Sequence, residues 1–469
     1  MSAPARFEAW ALPSGVAVPH EVSVEYEGGV AVVRLDATPG WMGEVCRALE
    51  ASRAALMDVP ALEIADALGA VGARFLHPTD PVRRHALDAL PATSGLSPEM
   101  SETVLDGMAR DWTADRLRAL LGLELEDPAA LDGFVDGGPR GRVRAVGPAL
   151  CTQVVSGSVP GVSATALIRS LLVKGPTLLK PGLGDVVLPV LFARALAETD
   201  ARLADALAVV YWPGGSTALE DVALRAADVV VAYGGDDTVR ALRDRTPVAT
   251  RFVPYPHRVS VGAVGRESLG PGIAERTALE VAGAVSMFDQ RGCVSPHVVW
   301  VEEGGGVAPR GFAEMVAGAL AELEARWPSG RLDAEEASAA QQARGGAELL
   351  AAAGGDVRVW RGDRAAWTVV WEGDPAPAAD DVAAMCVGRV VRVRPIAALE
   401  ELPARVAPWA RQVQTVALAA RVTGVAESLA KVGVTRIAPF WDVPFPPAWW
   451  RQDGRGVLAE LVRWVEVEG

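Results

Sequence analysis

Residues 177–185 read Thr-Leu-Leu-Lys-Pro-Gly-Leu-Gly-Asp, and a helical pattern follows directly at residues 186–198. The apolar run at 177–180 predicts a buried strand, and the proline and two glycines predict the turn that ends it. Apolar residues at helical spacing then predict a helix. A chain built from such strand–helix units forms a parallel sheet with helices packed on it.

The same alternation extends in both directions from this stretch. Strands are predicted at residues 149–155, 177–180, 206–212, 229–233 and 247–253. Helices are predicted at residues 163–173, 186–198, 217–227 and 237–245. The third helix opens on Thr-Ala-Leu-Glu at 217–220, which matches a capping box. Strands joined by single helices need right-handed crossovers, so we predict a nucleotide-binding type of sheet with ligands at the carboxyl ends of its strands.

Three glycine-containing loops, at residues 156–161, 180–185 and 233–238, follow strands of this predicted sheet. None contains the G-x-G-x-x-G fingerprint, so each is compatible with an ordinary strand-to-helix turn. Gly234 and Gly235 nevertheless open a helix, where backbone N–H groups can approach a phosphate. Asp236 and Asp237 would repel a pyrophosphate, and we assign them capping roles. Lys180 occupies the place where many NAD-specific folds carry an acid, which favours a 2′-phosphate and therefore NADPH.

Cys293 lies in a short polar turn, residues 287–297, ahead of an apolar run. A thiolate is the reactive form of cysteine, and backbone N–H groups or a nearby cation favour it. Gly292 leaves the adjoining backbone open. Cys293 is therefore the candidate nucleophile, although most cysteines in such chains are small buried residues without chemistry.

Composition restricts the class of protein. The 469 residues are 50% hydrophobic and 22% charged, which indicates a globular chain of two or three domains. A formal charge of −14 argues against a nucleic-acid partner. The four cysteines are widely spaced, so neither a metal site nor a disulfide framework is expected. No signal peptide or long apolar run occurs, which favours a cytoplasmic protein with no integral membrane segment.

The remaining segments are less informative. A strand pair is predicted at residues 22–26 and 30–35, and helices at 59–71 and 101–123. Residues 310–355 are predicted to be mostly helical with a break at 327–330, and Glu335 and Glu336 to form a solvated helix face. Residues 372–381 are predicted to form a surface loop. The Trp- and Pro-rich tail is compatible with core, an apolar ligand wall or a subunit contact.

From residue 145 to the carboxyl terminus the chain resembles the LuxC-type acyl-CoA reductases of the aldehyde dehydrogenase superfamily. The resemblance rests on residues 157–160 (Gly-Ser-Val-Pro), 179–181 (Leu-Lys-Pro), 234–235 (Gly-Gly), 288–296 (Phe-Asp-Gln-Arg-Gly-Cys-Val-Ser-Pro), 412–416 (Gln-Val-Gln-Thr-Val), 450–455 (Trp-Arg-Gln-Asp-Gly-Arg) and 461–464 (Leu-Val-Arg-Trp). It implies an aldehyde dehydrogenase-like α/β fold with two Rossmann-like parallel-sheet domains. The expected division is an N-terminal mixed segment (1–144), an NADP-binding domain (145–255), a catalytic domain (256–430) and a C-terminal segment that packs back on the core (431–469).

The resemblance also implies a reaction, the NADPH-dependent reduction of a fatty acyl thioester to an aldehyde through an acyl-enzyme on Cys293. The Cys293 N–H and the Ser158 hydroxyl are expected to stabilise the oxyanion. The implied cofactor-binding residues are Gly157, Pro160, Lys180, Gly234 and Gly235. Expected partners are an acyl-CoA or acyl-protein thioester, an acyl-protein synthetase or acyl transferase, and further copies of the chain.

Two departures from aldehyde dehydrogenases stand out. Ser158 replaces an asparagine, and residues 256–261 contain no acid that could activate water for hydrolysis. Loss of that base suits a reductase, and His257 is a candidate for acid–base chemistry. An aldehyde dehydrogenase, hydrolysing or CoA-acylating, and a non-catalytic acyl-binding subunit are the alternatives.

Overall fold

The computed structural model describes residues 5–19, 22–27, 29–373, 385–421 and 424–468. These residues form two compact units, one of residues 1–256 with 447–469 and the other of residues 257–446. Each unit contains its own sheet, and the tail from residue 447 belongs to the first unit.

The first unit begins with short strands and a group of helices, and then alternates strand and helix from β7 onward. Its strands are β1 (Ala5–Glu8), β2 (Trp10–Ala11), β3 (Val22–Glu27), β4 (Val30–Leu35), β5 (Val135–Asp136), β6 (Arg142–Val146), β7 (Cys151–Val154), β8 (Thr177–Lys180), β9 (Leu207–Val210), β10 (Val229–Tyr233) and β11 (Arg251–Tyr255). Its helices are α1 (Pro39–Met57), α2 (Ala61–Leu76), α3 (Pro81–Ser94), α4 (Pro98–Ala109), α5 (Ala114–Leu125), α6 (Val162–Leu172), α7 (Val187–Thr199), α8 (Ala201–Ala204), α9 (Thr217–Ala226) and α10 (Asp236–Arg245).

The second unit continues the chain from β12. Its elements are β12 (Val259–Val264), α11 (Ile273–Ser286), β13 (Pro296–Glu302), α12 (Pro309–Arg326), α13 (Ala334–Ala352), β14 (Val357–Arg361), β15 (Thr368–Glu372), β16 (Val390–Ile396), α14 (Leu402–Val406), β17 (Val413–Ala419), α15 (Val425–Lys431) and β18 (Ile437–Ala438). The last strand, β19 (Arg463–Val467), belongs to the first unit, where it pairs with β6.

The central sheet of the first unit has the strand order β11-β10-β7-β8-β9-β2, and all of its pairs except β2–β9 are parallel. The predicted alternation of strands and helices is confirmed, and β8 and β10 have the predicted bounds. β11 begins later than predicted, because Pro247 starts a turn in which the Thr250 N–H donates to the Pro247 carbonyl. Leu458 and Val462 of the tail lie in the core of this unit.

The sheet of the second unit has the order β14-β15-β16-β13-β12-β17-β18, and only the β14–β15 pair is antiparallel. Two register shifts flank Ser260 of β12. Ser260 pairs with Pro296 on one side and with Thr415 on the other, so that His297 and Gln414 are the extra residues. Such bulges bend a strand locally and redirect side chains.

Several expectations from local pattern are corrected. The predicted helix at 101–123 is two helices, α4 and α5, separated by a short turn at 110–113. The predicted capping box is wrong, because Ser216 precedes the first turn of α9 and no side chain caps that helix. The break at 327–330 and the β3–β4 pair are confirmed. Of the predicted loop at 372–381, Glu372 ends β15, and residues 374–381 lie outside the described residues.

Candidate active site

The loops after β7, β8 and β10 meet at one edge of the sheet in the first unit, because these three strands are parallel neighbours. We call this the cofactor edge, residues 156–161, 180–185 and 233–236. Gly157 and Gly182 touch through their backbones, and a Cβ on Gly182 would stand 2.2 Å from the Gly157 nitrogen. The first two loops therefore fix each other, and no larger residue fits at Gly182.

Asp185 caps α6 from the neighbouring loop. Its buried carboxylate accepts hydrogen bonds from the Gly161 N–H at 2.6 Å and the Ser163 N–H at 2.7 Å. Burial raises the pKa of Asp185 to about 7, and these N–H donors oppose that shift. The N-terminus of α6 thus has its partner inside the protein. Pro160, next to this cap, is buried, whereas Ser158 is exposed.

The N-terminus of α10 is arranged differently. Its N-cap residue is Gly235, which has no side chain to cap the helix, and a Cβ on Gly235 would meet nothing within 4 Å. Asp236 and Asp237 lie within the first turn and not at the N-cap position, and the Asp237 carboxylate pairs with Arg240 at 2.6 Å. An open helix N-terminus with a small residue in front of it suits the approach of a phosphate.

Lys180 ends β8 at the same edge. Its side chain is half-buried, and within the described part of the chain it forms no hydrogen bond or ion pair. Burial lowers the pKa of Lys180, and the Glu220 carboxylate opposes the shift. Glu220 itself is hydrogen-bonded to Arg245. The residues of this edge therefore fit a phosphate-bearing dinucleotide, with the Lys180 cation and the backbone N–H groups at the start of α10 as its candidate partners.

The turn before Cys293 has an unusual backbone. Phe288, Asp289 and Gln290 have φ angles of 57°, 50° and 65°, the left-handed region that non-glycine residues seldom adopt. Three successive residues of this kind persist only where their surroundings hold them, and such strain is typical of functional sites. The Phe288 ring packs so closely that a Cβ on Gly292 would stand 3.0 Å from it.

A buried carboxylate holds the first part of this turn. The Asp289 side chain accepts hydrogen bonds from Arg389 Nε at 2.8 Å and from the Gly330 N–H at 3.0 Å. Arg389 is fully buried and also pairs with Glu324 at 2.7 Å. A buried charge pair with its remaining hydrogen-bonding groups satisfied specifies one conformation, at some cost in desolvation.

A buried amide holds the second part. Gln290 Nε2 donates to the Pro296 and Val390 carbonyls at 3.0 and 2.8 Å, and Oε1 accepts from the Val390 N–H at 2.7 Å. Arg291 binds both carboxylate oxygens of Glu336, each at 2.8 Å. Glu336 was predicted to lie on a solvated helix face; instead it caps α13 and anchors the turn.

Ser260 fixes the cysteine itself. Its hydroxyl donates to the Cys293 carbonyl at 2.7 Å and accepts from the Thr415 N–H at 3.1 Å. The Cys293 side chain is half-buried. His297 is buried near the start of β13, and burial, followed by the nearby charge of His257, lowers the pKa of His297 to about 4. His257, the predicted acid–base residue, is exposed just before β12.

The structure thus groups the predicted residues into two sets. Gly157, Ser158, Pro160, Lys180, Gly234 and Gly235 belong to the first unit, at the cofactor edge or beside it. Cys293 and His257 belong to the second unit, at the start of neighbouring strands. Sequence reasoning missed Asp185, Ser260 and Arg389. The Asp-Gln pair before the cysteine was a signal that this turn carries buried polar contacts.

Among the described residues, no helix is long and apolar enough to cross a bilayer. Over that same part of the chain, no three His, Cys, Asp or Glu side chains come together as a group that could hold a metal ion.

Solved structures place the fold among the aldehyde dehydrogenases. Aldehyde dehydrogenase 21 from Physcomitrella patens, in complex with the reaction product succinate, matches with a TM-score of 0.76 and 12% identity over 99% of this chain and 98% of that chain. NADP-dependent glyceraldehyde-3-phosphate dehydrogenase from Bacillus halodurans matches with a TM-score of 0.72 and 14% identity over 98% and 99%. The predicted aldehyde dehydrogenase-like fold is confirmed.

The sequence defines the family within that fold. Residues 61–464 match the acyl-CoA reductase (LuxC) family, and the chain belongs to it. The long-chain acyl-protein thioester reductase of Photobacterium phosphoreum is 24% identical over 212 residues, 44% of this chain and 42% of the relative. That of Aliivibrio fischeri is 23% identical over 249 residues, 51% and 50%. The chain spans half or less of the length of these curated relatives.

Proposed function

We propose that this protein reduces a long-chain fatty acyl thioester to the aldehyde with NADPH, through an acyl group carried by Cys293. The observation that carries the proposal is the cysteine turn, in which a half-buried thiol follows a strained backbone held by buried polar contacts. Membership of the acyl-CoA reductase family supports the same chemistry.

Cys293 would act first as a nucleophile. Its sulfur attacks the thioester carbonyl carbon, the tetrahedral adduct collapses, and the donor thiol leaves with a proton, so that one thioester replaces another. The Ser260 hydroxyl holds the Cys293 carbonyl during this exchange. We assign stabilisation of the oxyanion to the Cys293 N–H and the Ser158 hydroxyl, and proton transfer to His257.

In the second half of the reaction, a bound NADPH would supply a hydride to the acyl carbon. The adduct then expels the Cys293 thiolate and releases the aldehyde, so that one thioester and one hydride yield one aldehyde and one thiolate. Lys180 would bind the 2′-phosphate, and Gly157, Pro160, Gly234 and Gly235 would line the dinucleotide. Residues 256–261 contain no carboxylate to activate water, which favours reduction over hydrolysis of the acyl-enzyme.

The acyl donor has two candidates. The family is described for acyl-CoA, whereas the named relatives act on acyl-protein thioesters. An acyl-protein donor would require a synthetase or acyl transferase as a partner.

We propose that the protein works as a homo-oligomer, which light scattering would test. The division into NADP-binding residues 145–255 and catalytic residues 256–430 also remains a proposal.

The test is intact-mass detection of an acyl adduct after incubation with acyl-CoA and acyl-carrier-protein donors of several chain lengths. We expect a single adduct on Cys293 that disappears when NADPH is added, with aldehyde formed. Cys386→Ala is the matched control, since Cys386 is also half-buried. Absence of an adduct with every donor, or full activity in Cys293→Ala, would contradict the proposal. Hydrolysis to the free acid would favour an aldehyde dehydrogenase instead.

A further inference from the structure

Arg436 is a buried cation immediately before the short edge strand β18. Its side chain donates to the Asp442 carbonyl at 2.7 Å, the Val443 carbonyl at 3.0 Å and the Thr415 hydroxyl at 3.4 Å. All three acceptors are neutral. Its backbone carbonyl accepts from the Val416 N–H at 3.0 Å, which fixes the residue against β17.

Hydrogen bonds connect this guanidinium to the nucleophile. Thr415, which accepts from Arg436, donates its N–H to the Ser260 hydroxyl at 3.1 Å, and Ser260 donates to the Cys293 carbonyl at 2.7 Å. Ser260 and Thr415 are both fully buried. The path crosses two adjacent strands at the register shift beside Ser260, where the sheet departs from regular pairing.

Charge also relates the two residues. Burial lowers the pKa of Arg436 to about 10, and the charges of Cys293 and Asp442 oppose that shift. Cys293 contributes more than Asp442, whose side chain is exposed. Two histidines lie at the starts of the neighbouring strands β12 and β13. His257 is exposed, and His297 is kept uncharged near neutral pH by burial. Arg436 is therefore a permanent cation within electrostatic range of the thiol.

We propose that Arg436 is a positioning residue that favours the thiolate form of Cys293 and, through Thr415 and Ser260, fixes its backbone. A cation serves both halves of the proposed reaction, because the thiolate attacks in the first and leaves in the second. The inference rests on the proposed role of Cys293 as the nucleophile. Arg436 itself makes no contact with the substrate in this scheme.

The test is the pH dependence of Cys293 alkylation by iodoacetamide, followed by intact mass on the full-length protein. Arg436→Met removes the charge, and we expect the alkylation midpoint to rise by about one pH unit, the usual effect of one nearby opposite charge. Arg436→Lys retains a cation and should keep most of the wild-type midpoint. Thr415→Val removes one acceptor and keeps the charge, so its midpoint should stay close to that of the wild type.

Arg436→Gln is the second neutral variant, because its amide can still donate to the Asp442 and Val443 carbonyls if the methionine variant does not fold. Thermal unfolding confirms that each variant is folded. An unchanged midpoint in a folded neutral variant overturns the proposal. So does an equal shift in Arg436→Lys, which would show that hydrogen-bond geometry and not charge sets the midpoint.

Acyl-adduct formation separates this inference from the proposed function. If Cys293 acylates normally and the neutral variants keep its alkylation midpoint, only the role of Arg436 is wrong. If the variants shift the midpoint but the wild type forms no adduct with any donor, the proposed function fails and the electrostatic role stands.

Discussion

The turn that carries Cys293 and the edge that carries Lys180 use buried polar groups in opposite ways. In the turn, Asp289 is matched by the fully buried Arg389, and both ends of the Gln290 amide are hydrogen-bonded. At the edge, Lys180 is half-buried without an ion pair among the described residues, and the N-cap residue of α10 is a glycine with open space beside it.

The difference follows from what each region is proposed to do. A nucleophile must be held in one geometry, so the Asp289 carboxylate and the Gln290 amide have their hydrogen-bond partners within the protein. A ligand must be admitted, so some charge and some backbone N–H groups are left for it. The edge itself contains both arrangements, because Asp185 closes the α6 N-terminus while Gly235 leaves that of α10 open.

The largest effect is expected from Arg389→Met in the turn. It removes the hydrogen-bonded cation of the buried Asp289 carboxylate and leaves only Arg291, 3.8 Å away, which costs about 3–5 kcal/mol of unfolding free energy. Urea denaturation measures the loss. Arg405→Met is the matched control, since Arg405 and Glu401 form an exposed ion pair, which contributes little to the free energy of unfolding. Equal stability of the two variants would mean that Asp289 is not held by charge.

A pair of glycine substitutions tests the edge. Gly182→Ala places a Cβ 2.2 Å from the Gly157 nitrogen, and we expect a loss of at least about 2 kcal/mol because backbone atoms cannot yield cheaply. Gly235→Ala meets open space and should unfold like the wild type while weakening NADPH binding a few-fold. Calorimetry and cofactor titration measure the two effects. A strong destabilisation by Gly235→Ala would show that the α10 N-terminus is not open.

His297 makes the stability of the second unit depend on pH. Burial lowers its pKa from 6.5 to about 4, so the folded state binds this proton at a lower pH than the unfolded state does. The stabilisation is present above the unfolded value and is lost as pH falls towards the folded value. We expect a loss of about 2 kcal/mol between about pH 7 and about pH 5, largely abolished in His297→Asn. Urea titrations at both pH values test this, and identical slopes for the two proteins would contradict it.

An effect smaller than the three stability losses above is expected from Lys180→Met. Removing a charge-assisted contact with the 2′-phosphate should raise the KM for NADPH about tenfold, which corresponds to about 1.4 kcal/mol, and change that for NADH little. Steady-state kinetics with both cofactors measure the ratio. An equal change for both would assign Lys180 to packing instead of phosphate binding.

Local pattern predicted much of the fold because the first unit alternates strand and helix within short spans. β8 and β10 have the predicted bounds, and α6, α7 and α9 begin and end within one residue of the predicted ones. Local pattern gave the wrong prediction where the environment of a residue depends on a partner that is distant in the chain. Glu336 looked like a solvated helix residue and in fact binds Arg291, 45 residues earlier in the chain.

The α/β alternation, the family and the candidate nucleophile could be predicted from the sequence, because they depend on periodicity and on short motifs. The contacts that hold Cys293 could not be predicted in this way. Arg389 lies 100 residues after Asp289, and Thr415 lies 155 residues after Ser260. Hydrogen bonds between residues this far apart depend on strand order and register, which no local pattern contains. For the same reason the proposed role of Arg436 depends on the pairing of β17 with β18, which brings Arg436 beside Thr415.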